Sequence, residues 1–232
     1  TPAEDDLLTA TNTLADEDGV GEISYQWKRD GIAIPGAIAR TYILVHADVD
    51  AVITVTANYT DGHGSDESVT SAGTSAATNR NDAPSGNVTL DETSPAEDDL
   101  LTAANTLADE DGLGTVSYQW QRDGTDIPGA TNSSYTVLQS DVGAVINVTA
   151  SYTDGHGTVE SVSSDNDEPV VNVNDGPEGS VTITGLIVEQ KTLSASNTLS
   201  DEDGMGEVSY QWQRGGSDVE GQTGSSYTLT SA

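Results

Sequence analysis

Apolar and polar side chains take turns along much of this chain. Val116, Tyr118 and Trp120 alternate with Ser117 and Gln119, and Ile146, Val148, Ala150 and Tyr152 alternate with Asn147, Thr149 and Ser151. A period of two puts successive side chains on opposite faces of a strand, so both stretches read as strands with one buried face. Helical spacing with caps is not found. TLADEDG comes nearest, and its acids suit a turn better. The stretch 83–175 reads as seven strands: A at 86–91, B at 99–106 and C at 115–122, ended by an Asp123-Gly124 hairpin turn. A short strand at 125–128 ends at Pro128-Gly129, and E (134–139), F (145–153) and G (157–171) follow.

This pattern recurs. Residues 1–30 match residues 94–123 at 24 of 30 positions, and the same phrase begins a third time near Glu189. The period of about 93 residues marks a tandem array, in which function resides in the series and its junctions rather than in one unique pocket. Many short antiparallel strands, with one Trp on the third, predict an all-β chain of immunoglobulin-like, cadherin-like sandwiches stacked end to end. Three domains are expected: 1–82, a repeat lacking its first strand; 83–175, a complete repeat; and 176–232, a repeat ending before its last strands. On that reading the chain is a segment of a longer protein. Trp27, Trp120 and Trp212 would anchor the cores. A sugar-stacking role would need them exposed, and the alternation places them inside.

The 232 residues carry 39 acids and 7 bases, a net charge of -32. Phosphate recognition needs clustered Lys and Arg, which excludes nucleic acid and anionic membrane surfaces. There is no cysteine to staple the domains. No apolar run approaches the ~20 residues of a membrane span, so no membrane insertion is expected. A charge this large strains a compact state unless cations belong to the structure.

Strand direction locates those acids. Seven alternating strands bring the chain in at one pole and out at the other. The A–B loop then lies at the far pole, with the B–C and F–G loops and the incoming linker at the near one. The boundary of repeats one and two should gather Glu4 and Asp5, Asn81 and Asp82, Asp109 and Asp111, and Asp154. The second boundary should gather Glu97 and Asp98, Asn174 and Asp175, and Asp201 and Asp203. Asp16, Asp18 and Asp61 form a matching half-site in repeat one. Carboxylates ~4–5 Å apart repel by about 1 kcal/mol per pair in water, and by more when partly buried. A hard cation reverses that sign, and calcium takes six to eight such oxygens. Zinc would want His or Cys, and magnesium prefers water in strict octahedra. The alternative is that these acids are solvated turn formers, since Asp-Gly is itself a turn signal. For His63 and His156, in the repeated Asp-Gly-His-Gly loop, a ligand role and a plain polar turn both stay open. Asp109-x-Asp111-Gly112 is not an EF-hand, and no phosphate-binding loop or nucleophile elbow is present. Acid pairs could serve a glycosidase, but the same pairs in every repeat argue against an enzyme.

SYQWQRDGTDIPGATNSSYTVLQSDVGAVINVTASYTDGHGTVESV (117–162), closed by NDGP, resembles the tandem immunoglobulin-like and cadherin-like extender repeats of giant bacterial surface adhesins of the RTX type. The resemblance implies export by type I secretion, residence on a Gram-negative cell surface, and roles in cell adhesion and biofilm formation. It also implies calcium at the linkers. Asp109-x-Asp111 looks like the cadherin D-x-D loop, Asn81-Asp82 and Asn174-Asp175 like the end of its linker motif, and Glu4, Glu97 and Glu189 like its first-loop glutamate. No D-R-E stands near Asp48 or Asp141, and Asn79 and Asn172 replace the first linker Asp. One or two ions per junction are therefore expected. The leading expectation is a calcium-stiffened spacer whose partners are calcium ions and neighbouring repeats. The alternative is a module gripping carbohydrate or a partner cell, with Tyr42 and Tyr135 as the residual aromatic candidates. A third is an accessory domain of a secreted enzyme.

Overall fold

In the computed structural model, residues 1–231 are described. The chain is all-β. Repeat one supplies β1 (Leu7–Thr9), β2 (Ser24–Arg29), β3 (Ile32–Ala33), β4 (Thr41–Ile43), β5 (Ile53–Thr60) and β6 (Asp66–Thr70). Repeat two supplies β7 (Val88–Leu90), β8 (Leu100–Asn105), β9 (Ser117–Arg122), β10 (Thr125–Asp126), β11 (Ser134–Thr136), β12 (Ile146–Thr153) and β13 (Val159–Ser163). Repeat three supplies β14 (Val181–Thr184), β15 (Thr192–Asn197), β16 (Gln213–Arg214), β17 (Ser217–Asp218) and β18 (Ser226–Thr228). Among the described residues no helix is long and apolar enough to cross a membrane.

The middle repeat has one sheet in the order β11-β8-β7 and another in the order β10-β9-β12-β13. This division, A, B and E in one sheet and the short strand, C, F and G in the other, is that of an immunoglobulin-like sandwich. Repeat one shows β1-β4 and β3-β2-β5-β6, and repeat three β14-β15-β18 and β16-β17.

Contacts group the chain into two compact units. The first holds 1–89, 104–119 and 148–164. Its first-repeat core joins Ala10, Trp27, Leu44, Ala51, Ile53 and Ala77, drawn from β2, β5 and the connections, with Leu8 of β1 and Tyr42 of β4 packed against it. Register follows the alternation: Trp27 pairs with Val55 and Tyr25 with Ala57. The second unit holds 90–103, 120–147 and the described residues from 165 on. There Tyr135 pairs with Leu101, and Leu193, Trp212 and Tyr227 form a further core.

Two elements differ from the expected strands, and both shape the site. Strand E stops at Thr136 and turns through a 3-10 segment, Gln139–Asp141. The cause is Asp141, which reaches back to accept from the Leu138 amide at 2.8 Å. Strand G stops at Ser163 because Asn166 is tied to strand F, donating to Asn147 Oδ1 at 3.1 Å and to the Ile146 carbonyl at 3.2 Å. The chain resumes as isolated parallel bridges, Val170 to Val142 and Val171 to Ala96. In repeat one the same segment bridges Ala77 to Val49 and Thr78 to Ala3.

Candidate metal centre

The bridge at Thr78 places Glu4. Its amide donates to the Thr78 carbonyl at 3.0 Å. Asp5 follows in the left-handed region, with φ 66°. Its neighbour Asp6 closes the turn by accepting from the Ala3 amide at 2.8 Å. Asp98 repeats the conformation at φ 65°, with Asp99 accepting from Ala96 at 2.8 Å. Asp5 and Asp98 are exposed and stand outside the clusters below; they bend the chain so that Glu4 and Glu97 point inward.

Asp111 is placed by the B–C loop. Asp109 accepts from the Asp111 amide at 2.8 Å and from the Tyr152 hydroxyl. Gly114 lets the loop lie on strand F, since a Cβ there would sit 2.0 Å from the Thr153 carbonyl. The Gly155 amide donates to the Asp111 carbonyl at 2.9 Å, tying in the F–G loop. Asp111 Oδ2 accepts from the linker amide of Asp82 at 2.8 Å.

That leaves Asp111 Oδ1 facing a residue the sequence reading missed. His46 Nδ1 lies 3.6 Å from Glu4 Oε1 and 3.6 Å from Asp111 Oδ1. Ligand atoms of Glu4, His46, Asp82 and Asp111 all fall within 4.8 Å of one another, as do those of His46, Asp111 and His156. Glu4 and Asp111 are each only 4% exposed. Glu4 Oε2, Asp111 Oδ1 and His46 Nδ1 are buried with no hydrogen-bond partner among the described residues. Buried polar atoms are nearly always satisfied, so two orphans 3.6 Å apart, His46 Nδ1 and Asp111 Oδ1, beside a third on Glu4 need a cause.

The second cluster joins Glu97, Asp175 and Asp203 within the same 4.8 Å. Asp203 accepts from the Asp175 amide at 2.7 Å, and Asp201 from the Asp203 amide at 3.1 Å. Burial pushes the Glu97 carboxyl above its ordinary range; the Val173 amide opposes this, and Asp175, Asp98 and Asp203 add repulsion. Burial likewise raises Asp175, with Asp203 the largest repelling neighbour. Gln139 stands where repeat one has His46. In one orientation its amide donates to Asn172 at 3.4 Å. Turned over, it donates to both Glu97 oxygens at 2.7 and 2.6 Å. A cation would favour the first orientation, which turns the amide oxygen toward Glu97.

The remaining candidates have their own places. Asp154 is buried: burial alone would raise its carboxyl, but the amides of Thr158, His156 and Gly157 hold it below the usual range. Its Oδ2 has no hydrogen-bond partner among the described residues. Asn81 donates to Glu160 at 2.8 Å and to the Asp82 carbonyl at 3.2 Å. Asn174 donates to the Asp175 carbonyl at 2.7 Å. Asp16 accepts from Asp18 and Tyr59, both at 2.9 Å. Asp61, lowered first by the Ser65 amide, binds the His63 amide too. Asp18 lies 3.2 Å from His63 Nδ1 at an exposed position.

Raised acids in the second cluster carry a pH signature. A carboxyl whose pKa is higher folded than unfolded contributes a penalty that is absent at acid pH and develops as pH rises through the folded value. In chelator, melting temperature should therefore climb on acidification from neutral pH toward the ordinary glutamate value of 4.5. Glu97→Gln should raise the neutral-pH melting temperature and flatten that climb. An unchanged profile in the variant would refute the assignment.

No family profile matches the sequence. The chain is 27% identical over 228 residues to the "Highly immunogenic outer capsid protein" of Enterobacteria phage T4, covering 94% of this chain. It spans 60% of the length of that protein. A solved structure, "Drosophila OTK, extracellular domains 3-5", is 15% identical with a TM-score of 0.25, covering 94% of this chain and 76% of that one. At that score the likeness carries no argument; the fold rests on the strand order above.

Proposed function

We propose that the chain is a structural spacer of an extracellular surface protein, an adhesin of the extender-repeat kind, whose repeats are locked in register by divalent cations at the acid clusters, calcium where the donors are oxygen alone. One observation carries this reading. Glu4 of repeat one and Asp111 of repeat two are buried together with orphaned oxygens. Two facing carboxylates out of water are costly alone and favourable around a cation. The donors fit calcium at the second cluster, where Glu97, Asp175 and Asp203 offer carboxylate oxygen only. Calcium would supply charge neutralisation there; Val171, Asp201 and Asp203 hold the carboxylates in place through their backbone and side-chain bonds. The description of the similar phage protein, on an outer capsid, agrees with display on an exterior surface.

The carbohydrate-gripping alternative loses its aromatic candidates. Tyr42 stacks on Trp27 at 5.7 Å, Tyr135 packs at a tilt against Trp120 at 5.6 Å, and each donates its hydroxyl to a buried aspartate.

Calcium at a hundredfold above its dissociation constant stabilises by about 2.7 kcal/mol. Melting in millimolar calcium should exceed that in chelator by roughly 10 °C or more. Small-angle scattering should show a longer maximum dimension with the ion. Superimposable curves in the two conditions would end the calcium reading.

A further inference from the structure

The two clusters share three carboxylates and differ in one donor. Glu4, Asp82 and Asp111 correspond to Glu97, Asp175 and Asp203, but His46 corresponds to Gln139. The second cluster thus offers only oxygen. The first offers imidazole nitrogen, from His46 and from His156 on the F–G loop, whose rings lie edge to face at 5.9 Å.

Nitrogen is a poor donor for calcium and a good one for zinc, copper and nickel. We propose that the first cluster is a site for a divalent transition ion of the zinc type, held by His46, Asp111, Glu4 and Asp82, which fastens repeat one to repeat two. This rests on reading the cluster as a cation site, and it sets which ion that site takes.

Three features support it. His46 Nδ1 is buried without a hydrogen-bond partner among the described residues, although two carboxylate oxygens lie nearby. Both are at 3.6 Å, too far for hydrogen bonds. A tetrahedral zinc with bonds of ~2.0–2.2 Å holds its ligand atoms about 3.3–3.6 Å apart. The buried carboxylates are themselves positioned: the Asp82 amide occupies the other Asp111 oxygen, and the Thr78 carbonyl fixes the Glu4 backbone. His156 is exposed and groups its own ligand atom with those of His46 and Asp111 at the rim of the site.

The test uses the untagged 232-residue protein stripped with chelator. Calorimetric titration with zinc should show one tight site. His46→Gln, which installs the residue found at 139, should weaken it at least ~100-fold, beyond the 10–100-fold typical of losing an outer partner. His63→Ala, at the exposed Asp18 pair, should leave it unchanged. Cobalt should give the intense visible absorption of a four-coordinate ion in the parent protein and lose it in His46→Gln. Equal zinc affinity in the parent and His46→Gln, or a weak octahedral cobalt spectrum, overturns the proposal. If calcium stabilises the protein but zinc does not bind, this inference falls and the spacer reading stands. If neither ion binds, both fall.

Discussion

Asp141→Ala is expected to cost about 3 kcal/mol of unfolding free energy, read by urea denaturation, and roughly 10–20 °C in melting temperature. Asp141 is fully buried. One oxygen takes the Arg122 guanidinium, and the other takes the Tyr135 hydroxyl at 2.7 Å and the Leu138 amide at 2.8 Å. Alanine strands all three donors. Breaking a buried pair usually costs 3–5 kcal/mol. The low end applies because about a third of the Arg122 side chain reaches solvent and can rehydrate. The same network raises Tyr135: its burial, then its bond to Asp141, push the phenol up to about 12. Tyr135→Phe should therefore cost only ~1 kcal/mol, one hydrogen bond. Asp48, bound by Arg29, Tyr42 and Val45, repeats the arrangement. A loss below 1 kcal/mol for Asp141→Ala would show that the network is not structural.

Trp120→Ala should cost ~3–5 kcal/mol, the range for emptying an aromatic site in a core. Trp120 is wholly buried, packs against Tyr135, and donates its indole N–H to the Asn132 carbonyl at 2.9 Å. Trp27 and Trp212 make the same bond, to Ala39 and Gly224. Trp120→Phe keeps most of the volume and loses the donor, so it should fall between the parent and alanine. Near-ultraviolet circular dichroism during denaturation separates the three. A cost under 2 kcal/mol for alanine would mean that the site refills, against the close packing inferred for it.

Strands were legible wherever alternation was clean. The expected C and F strands, 115–122 and 145–153, appear as Ser117–Arg122 and Ile146–Thr153. Strand G was drawn too long because side-chain ties such as Asn166 to Asn147 leave no periodic trace. The meeting of Glu4, Asp82 and Asp111 followed from strand direction, since repeated loops must fall at fixed poles. His46 did not follow. It occurs once, Gln139 takes its place in the next repeat, and a reading guided by what recurs passes over what changes. Asp5 and Asp98 show the opposite error. They are acids in the right loop, but a left-handed backbone turns them out to water.

The near-duplicate strands have a kinetic consequence. β2 pairs with β5 through the same sequence positions that recur in repeat two, so either copy can complete the other's sheet at little cost in packing. An array that folds one sandwich at a time avoids that confusion. A fully denatured array has no such timetable. Its first recovery after heat or chaotrope is expected to pass through chains that have traded strands with their neighbours.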